Sequence, residues 1–222
     1  MGLLLPSSNT MMEPDFTSGL PAGVTLHSAR MYMEDTTPEG EGRMLDEFVM
    51  GPARDVGTAR PHVVVFGCTS AGALRGNDYD AELCARISEV TGVPTMSTIG
   101  SVRAALASSG ARRVGIVTPY VNELNSKIAA SIEADGMEVV RIAGLGITEN
   151  FAIARVEPDD IVAFALTSLE GADIDLVFAS CTNFAATSAR AAISERLGLP
   201  VVTSNQAVLA ATVEHLGRQA AA

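Results

Sequence analysis

The chain repeats itself at a spacing that few folds can accommodate. Pro6 and Cys68 lie 62 residues apart, and Pro119 and Cys181 are separated by the same 62. Each proline closes a short apolar run, Gly2–Pro6 and Val114–Pro119. Each cysteine closes another, Val63–Gly67 before Cys68 and Leu176–Ser180 before Cys181. Gly92–Leu106 likewise resembles Gly198–Thr212. An offset of about a hundred residues is too long for a solenoid and suits a duplicated α/β domain.

Within each copy, apolar runs rich in β-branched residues alternate with segments of helical periodicity, which implies parallel sheets with crossover helices. Strands are expected at Gly2–Pro6, Val24–Met33, Val63–Phe66, Val114–Pro119, Glu138–Ile142 and Leu176–Ala179, with turns into further strands from Gly92 and Gly198. Helices are expected at Glu41–Val56, with an irregularity near Pro52, and at Asp80–Val90, Ser101–Ser109, Asn122–Asp135, Pro158–Leu169, Phe184–Leu197 and Gln206–Leu216. Glu34–Gly42 reads as an acidic loop, and Ala143–Val156 as a loop carrying Asn150. The helix after Val201–Thr203 is expected to cross back onto the first copy. One α/β half is therefore assigned to residues 1–103 plus 205–222, and the other to residues 104–204.

The 222 residues carry a net charge of −11, which argues against nucleic acid and against an anionic membrane surface as partners. No apolar run approaches the roughly 20 residues of a membrane span. The first residues, Met1–Pro6, lack the basic start of a secretory signal, so the chain reads as cytoplasmic. Three cysteines without such a signal are expected to be free thiols.

Cys68 and Cys181 each end a buried strand, the rim at which open parallel sheets bind ligands. Each is followed by threonine: Cys68-Thr69-Ser70 and Cys181-Thr182-Asn183. A single cysteine at a strand end is usually a small core residue, and Cys84, beside Leu83 in a helix, fits that description. Two in matched repeats are harder to dismiss. If the halves face each other, two thiols meet across one cleft. One can then act as nucleophile or base while the other gives or takes a proton on the opposite side, provided that their acidities differ. No Lys, Arg or His adjoins either cysteine in sequence, so thiolate stabilisation must come from backbone N–H groups and hydroxyls.

Other chemistries fit less well. Zinc needs three or four ligands, and there is neither a Cys-x-x-Cys nor a cluster among His27, His62 and His215. Gly144-Leu145-Gly146 lacks the third glycine of a dinucleotide fingerprint, and Gly67–Gly72 is one residue too long for a nucleophile elbow. A two-lobed binding module without turnover remains open on fold alone.

Four segments together, Pro6-Ser7-Ser8-Asn9-Thr10 with Glu13-Pro14, Gly67–Ser70, Thr118-Pro119-Tyr120 and Ser180–Asn183, resemble maleate cis-trans isomerases. These are cofactor-independent members of the Asp/Glu racemase superfamily, related to arylmalonate decarboxylases. The resemblance covers nearly the whole chain. It implies two pseudo-symmetric flavodoxin-like halves with parallel sheets, an active site in the cleft between them, a homodimer, and no metal, pyridoxal phosphate or nucleotide. It implies Cys68 as nucleophile toward an alkene carbon of a small dicarboxylate and Cys181 as acid–base partner. It places Asn9, Tyr120 and Asn150 on the substrate carboxylates, with the backbone N–H groups of Thr69, Ser70, Thr182 and Asn183 holding the remaining oxygens. Asn9 also fits a helix cap, and Tyr120 a packing aromatic. Arylmalonate decarboxylases typically have glycine at the first cysteine position, so Cys68 argues against decarboxylation. Two-cysteine racemases share the pair, but the Pro6–Thr10 start favours the isomerase branch.

Overall fold

The apolar runs form two sheets of four strands each in the computed structural model, which describes residues 1–220. The first sheet holds β1 (Gly2–Pro6), β2 (His27–Met31), β3 (Val64–Phe66) and β4 (Thr95–Ser97) in the order β2-β1-β3-β4. The second holds β5 (Arg113–Thr118), β6 (Glu138–Gly144), β7 (Leu176–Ala179) and β8 (Val201–Thr203) in the order β6-β5-β7-β8. Every pairing is parallel; Leu4 lies opposite Phe66 in one sheet and Ile116 opposite Phe178 in the other. The order and direction are the same in both, as the sequence repeat implies.

Around the first sheet lie α1 (Met12–Gly19), α2 (Pro38–Arg43), α3 (Met50–Gly57), α4 (Thr69–Leu74), α5 (Asn77–Thr91) and α6 (Thr98–Ser108). The second sheet carries α7 (Asn122–Glu133), α8 (Asn150–Ile153), α9 (Pro158–Leu169) and α10 (Ala186–Leu197), and α11 (Ser204–Ala220) follows β8. Side chains alternate across each strand. Leu3, Leu5, Val63 and Val65 face Met12 and Phe16 of α1, whereas Leu4, Val64 and Phe66 belong to the main core. Val208 of α11 joins the Leu3–Leu5 face, so the last helix packs on the first sheet.

The structure adds two helices that the sequence reading does not include, α1 and α4, and differs from it elsewhere. The Glu34–Gly42 segment is not all loop: Thr37 caps α2 by accepting from Gly40 N at 3.1 Å, and Pro38 occupies the first turn, where its missing N–H costs nothing. The expected irregularity near Pro52 is a π-helical turn, Met44–Phe48, between α2 and α3. Pro52 cannot donate to the carbonyl four residues back, that of Phe48, and the wide turn ends there. Strand β2 is shorter than Val24–Met33, and the Ala143–Val156 loop contains the single turn α8. Among the described residues, no helix is long and apolar enough to cross a membrane.

Candidate active site

Both cysteines stand at carboxyl ends of central strands, β3 and β7, and both are buried, at 4% and 5% exposure. Cys68 has extended backbone (φ −143°, ψ 116°) and caps α4 directly. Gly67 makes this possible. A Cβ there would sit 2.8 Å from the Leu4 carbonyl oxygen and 2.6 Å from Met12 Sδ, so only glycine lets the chain leave the sheet this close to β1 and α1. Cys181 instead sits at φ +118°, one of two non-glycine residues with positive φ among those described. Backbone held in such a region is strained by about 1–3 kcal/mol and is kept only where its surroundings over-determine it. Here the surroundings are visible. Cys181 N donates to Ser204 Oγ at 3.0 Å, and Asn183 N donates back to Cys181 Sγ at 3.3 Å.

The two sulfurs differ in acidity. Burial pushes the Cys68 thiol well above its ordinary value, and nearby Glu41 adds to this; the Ala71 N–H and the Ser70 hydroxyl oppose it only in part. Burial also raises Cys181, but the Tyr120 hydroxyl and the N–H groups of Asn183 and Phe184 donate to its sulfur and hold it to about 11. Tyr120 is itself buried, and burial together with Cys181 pushes its hydroxyl up. Its turn is fixed by Tyr120 N donating to Thr118 Oγ1 at 3.0 Å, while the Thr118 hydroxyl donates to Asn125 Oδ1 at 2.6 Å. Cys68, Cys181, Tyr120 and Glu41 thus form one electrostatic cluster drawn from both halves.

The remaining sequence-predicted residues surround this cluster, all buried. Asn9 has two contacts: Oδ1 accepts from Met11 N and Met12 N at 3.1 and 3.0 Å, closing the start of α1, while Nδ2 donates to Thr182 Oγ1 at 3.0 Å. The Thr182 hydroxyl donates to the Gly67 carbonyl at 3.2 Å. Asn183 Oδ1 accepts from Thr10 N at 2.9 Å, and Asn183 Nδ2 donates to the Asn150 carbonyl at 2.6 Å. Asn150 Nδ2 donates to Ser8 Oγ at 2.8 Å and Asn150 Oδ1 accepts from Thr36 Oγ1 at 3.1 Å. Thr69 Oγ1 donates to Ser204 Oγ at 2.9 Å, and the Ser70 hydroxyl donates to Glu41 Oε1. All nine predicted residues therefore sit at the junction of the two sheets' carboxyl ends. Cys84 and His62 stand apart: Cys84 is half-buried on α5, with its thiol pushed up to about 12 by burial and Asp80, and His62 is exposed.

Two residues of the junction were not expected from the sequence. Glu41 hides in a stretch that reads as a solvated acidic loop; the signal for it was Thr37-Pro38, a cap followed by a helix-starting proline. Ser204 accepts from both Thr69 and Cys181. Its repeat counterpart, Thr98, donates to the Phe66 carbonyl at 2.9 Å, so a hydroxyl after the fourth strand recurs in both halves. Among the described residues, no group of three or more His, Cys, Asp or Glu is arranged to hold a metal ion.

Two parallel α/β repeats, each delivering a cysteine to a shared buried junction, define a pseudo-symmetric two-thiol protein. The chain belongs to the arylmalonate decarboxylase family, whose model matches residues 1–222. It is 30% identical over 217 residues to a maleate isomerase of Pseudomonas putida, covering 92% of this chain and 86% of that one. It is also 30% identical over 205 residues to an arylmalonate decarboxylase of Bordetella bronchiseptica, covering 92% and 82%. The structure superposes on that of a maleate isomerase from Pseudomonas putida S16, solved with maleate, with a TM-score of 0.90 and 26% identity over 97% of this chain and 91% of the other. The resemblance read from the four sequence segments and these matches agree on the family and the fold.

Proposed function

We propose that this chain is a cofactor-independent isomerase that converts maleate, or a closely related cis-dicarboxylate, to the trans isomer fumarate. The observation that carries the reading is the pair of buried thiols, one from each half at a strand's carboxyl end, with the Tyr120 hydroxyl donating to Cys181. The similarity to maleate isomerases supports the substrate.

The reacting state is the minor, singly ionised one, in which Cys181, the lower of the two thiols at about 11, has lost its proton to solvent. The Cys68 sulfur adds to one alkene carbon as its proton passes to Cys181. The π electrons move onto the neighbouring carboxylate, which becomes an enediolate with a second negative charge. The former double bond is now single and rotates. The electrons then return, the C–S bond breaks, Cys181 gives the proton back, and fumarate leaves. Neutral donors suit this charge flow, because fixed dipoles in a buried site stabilise the enediolate without reorganising. Asn9, Tyr120, Asn150 and the N–H groups of Thr69, Ser70, Thr182 and Asn183 are assigned that task. Burial excludes the water that would protonate the adduct.

Arylmalonate-type decarboxylation is the second reading, favoured by the family model and the Bordetella relative. It leaves Cys68 without a role. The resemblance also carries a homodimer and a cytoplasmic location, and the division into residues 1–103 plus 205–222 and 104–204 accords with α11 packing on the first sheet. Light scattering of the purified protein tests the dimer.

The function is tested by proton NMR in heavy water, with maleate and no added cofactor or metal. Fumarate free of deuterium at its alkene carbons is the expected product. Unchanged maleate overturns the reading and turns attention to substituted malonates and amino acids, followed by loss or exchange of the α-proton.

A further inference from the structure

Glu41 is a fully buried carboxyl without a countercharge. One oxygen, Oε1, accepts from the Ser70 hydroxyl; the other, Oε2, has no hydrogen-bond partner. It is close enough to Cys68, Cys181 and Tyr120 to influence all three. A buried carboxyl oxygen without a partner costs stability, and native structures rarely keep one unless it has something to hold. Glu41 is also held in place: α2 is capped by Thr37, contacts α4, and brings the side chain against Ser70, the residue after Thr69 in the Cys68 turn.

We propose that Glu41 is a substrate-binding acid of this site: Ser70 fixes Oε1, and Oε2 donates a hydrogen bond to an oxygen of the substrate carboxylate gathered beside Cys68. This rests on the isomerase reading above and adds a contact that the two-cysteine scheme does not include.

The charge state fits the task. A glutamate anion would repel a dicarboxylate, whereas a neutral acid donates to it. Burial pushes the Glu41 carboxyl up to about 8, with the Ser70 hydrogen bond acting the other way. The groups facing it titrate higher: Cys181 is held to about 11, and Cys68 and Tyr120 are both pushed well above their ordinary values. The charges on the adjoining π-helical turn and the end of α4 pair among themselves, Asp46 with Arg75 and Glu47 with Arg43. Within this cluster, then, Glu41 is the group that ionises between about pH 7 and 9.

The test measures kcat and KM for maleate from pH 6 to 9.5 in the wild type, Glu41→Gln and Glu41→Ala. In the wild type KM rises about tenfold per pH unit once Glu41 ionises above pH 8, while kcat rises separately as Cys181, held to about 11, begins to ionise. Glu41→Gln keeps an N–H donor but cannot ionise, so its KM starts about threefold higher at pH 7 and stays flat across the range. Glu41→Ala raises KM about tenfold or more at pH 7 and is also flat. A flat wild-type KM, or a Glu41→Gln variant that retains the alkaline rise, overturns the proposal. An infrared difference spectrum separates this failure from failure of the isomerase reading. The wild type minus Glu41→Gln spectrum at pH 7 should contain the C=O band of a neutral carboxylic acid. That band should vanish through pH 8 and shift when maleate is added. If maleate is not turned over, the isomerase reading falls and the band decides alone: a shift with maleate sustains Glu41 as a carboxylate-binding acid, and an absent or unmoved band overturns it.

Discussion

At position 67 the first half has glycine; at the matching position 180 the second has serine. Ala71 in the first half corresponds to Phe184 in the second, which is fully buried. From two segments of one pattern, Val63–Ser70 and Leu176–Asn183, which share Val, Cys and Thr at matched positions, the chain builds two unlike strand ends. The first runs from extended backbone straight into α4. The second bends through a strained cysteine and a turn at residues 182–185 before α10 begins. As a result, the Tyr120 hydroxyl donates to Cys181, whereas Glu41 is second only to burial in raising Cys68 and a lesser influence on Cys181. Duplication supplied the pair, and divergence at the flanking positions gave its members different acidities. An acid–base couple requires that difference.

The largest test of this asymmetry is activity. Cys68→Ser and Cys181→Ser should each reduce maleate turnover roughly a thousandfold or more, because residues that act as one unit fail together. Substantial activity in either variant would break the two-thiol mechanism. Next comes the glycine. Gly67→Ala forces a Cβ against the Leu4 carbonyl and should lower unfolding free energy by about 1–3 kcal/mol in denaturant titration. Ser180→Ala should lie within about 0.5 kcal/mol of wild type or slightly above it, because the Ser180 hydroxyl is buried without a hydrogen-bond partner. Equal effects at the two positions would mean that the halves leave their sheets in the same way. A smaller contrast lies in the backbone: Cys181→Gly should be more stable than Cys68→Gly by about 1–2 kcal/mol, since glycine relieves the positive φ only at 181. Least of all, Cys84→Ser should change turnover by less than about twofold, because Cys84 lies outside the junction.

What could be read from the sequence follows from what repeats. The strands, their parallel direction and the two cysteines show up because apolar runs ending in Cys-Thr occur twice at one spacing. Asn9 could be singled out too: its Oδ1 makes the expected cap, and its Nδ2 reaches across the junction to Thr182. Glu41 was missed because a short helix containing two glycines and flanked by acids carries no apolar periodicity. Its burial comes from tertiary packing, which local composition does not report. The bend at Cys181 was missed for a related reason. Nothing in that residue's chemistry asks for positive φ, and the turn is imposed by partners such as Ser204, 23 residues away.

The bonds that join the halves at the cleft are made largely by the residues assigned to grip the substrate: Asn9 to Thr182, Thr10 to Asn183, Asn150 to Ser8 and Thr36. The side chains of Asn9 and Asn150 thus belong both to the clasp and to the proposed binding site. On the proposed function, a dicarboxylate that reaches sulfurs this deeply covered has to displace the Asn9 and Asn150 side-chain bonds. On that reading, the work of parting the halves is drawn from the substrate's binding free energy, and opening to release product becomes a ceiling on turnover, however fast the sulfur chemistry runs.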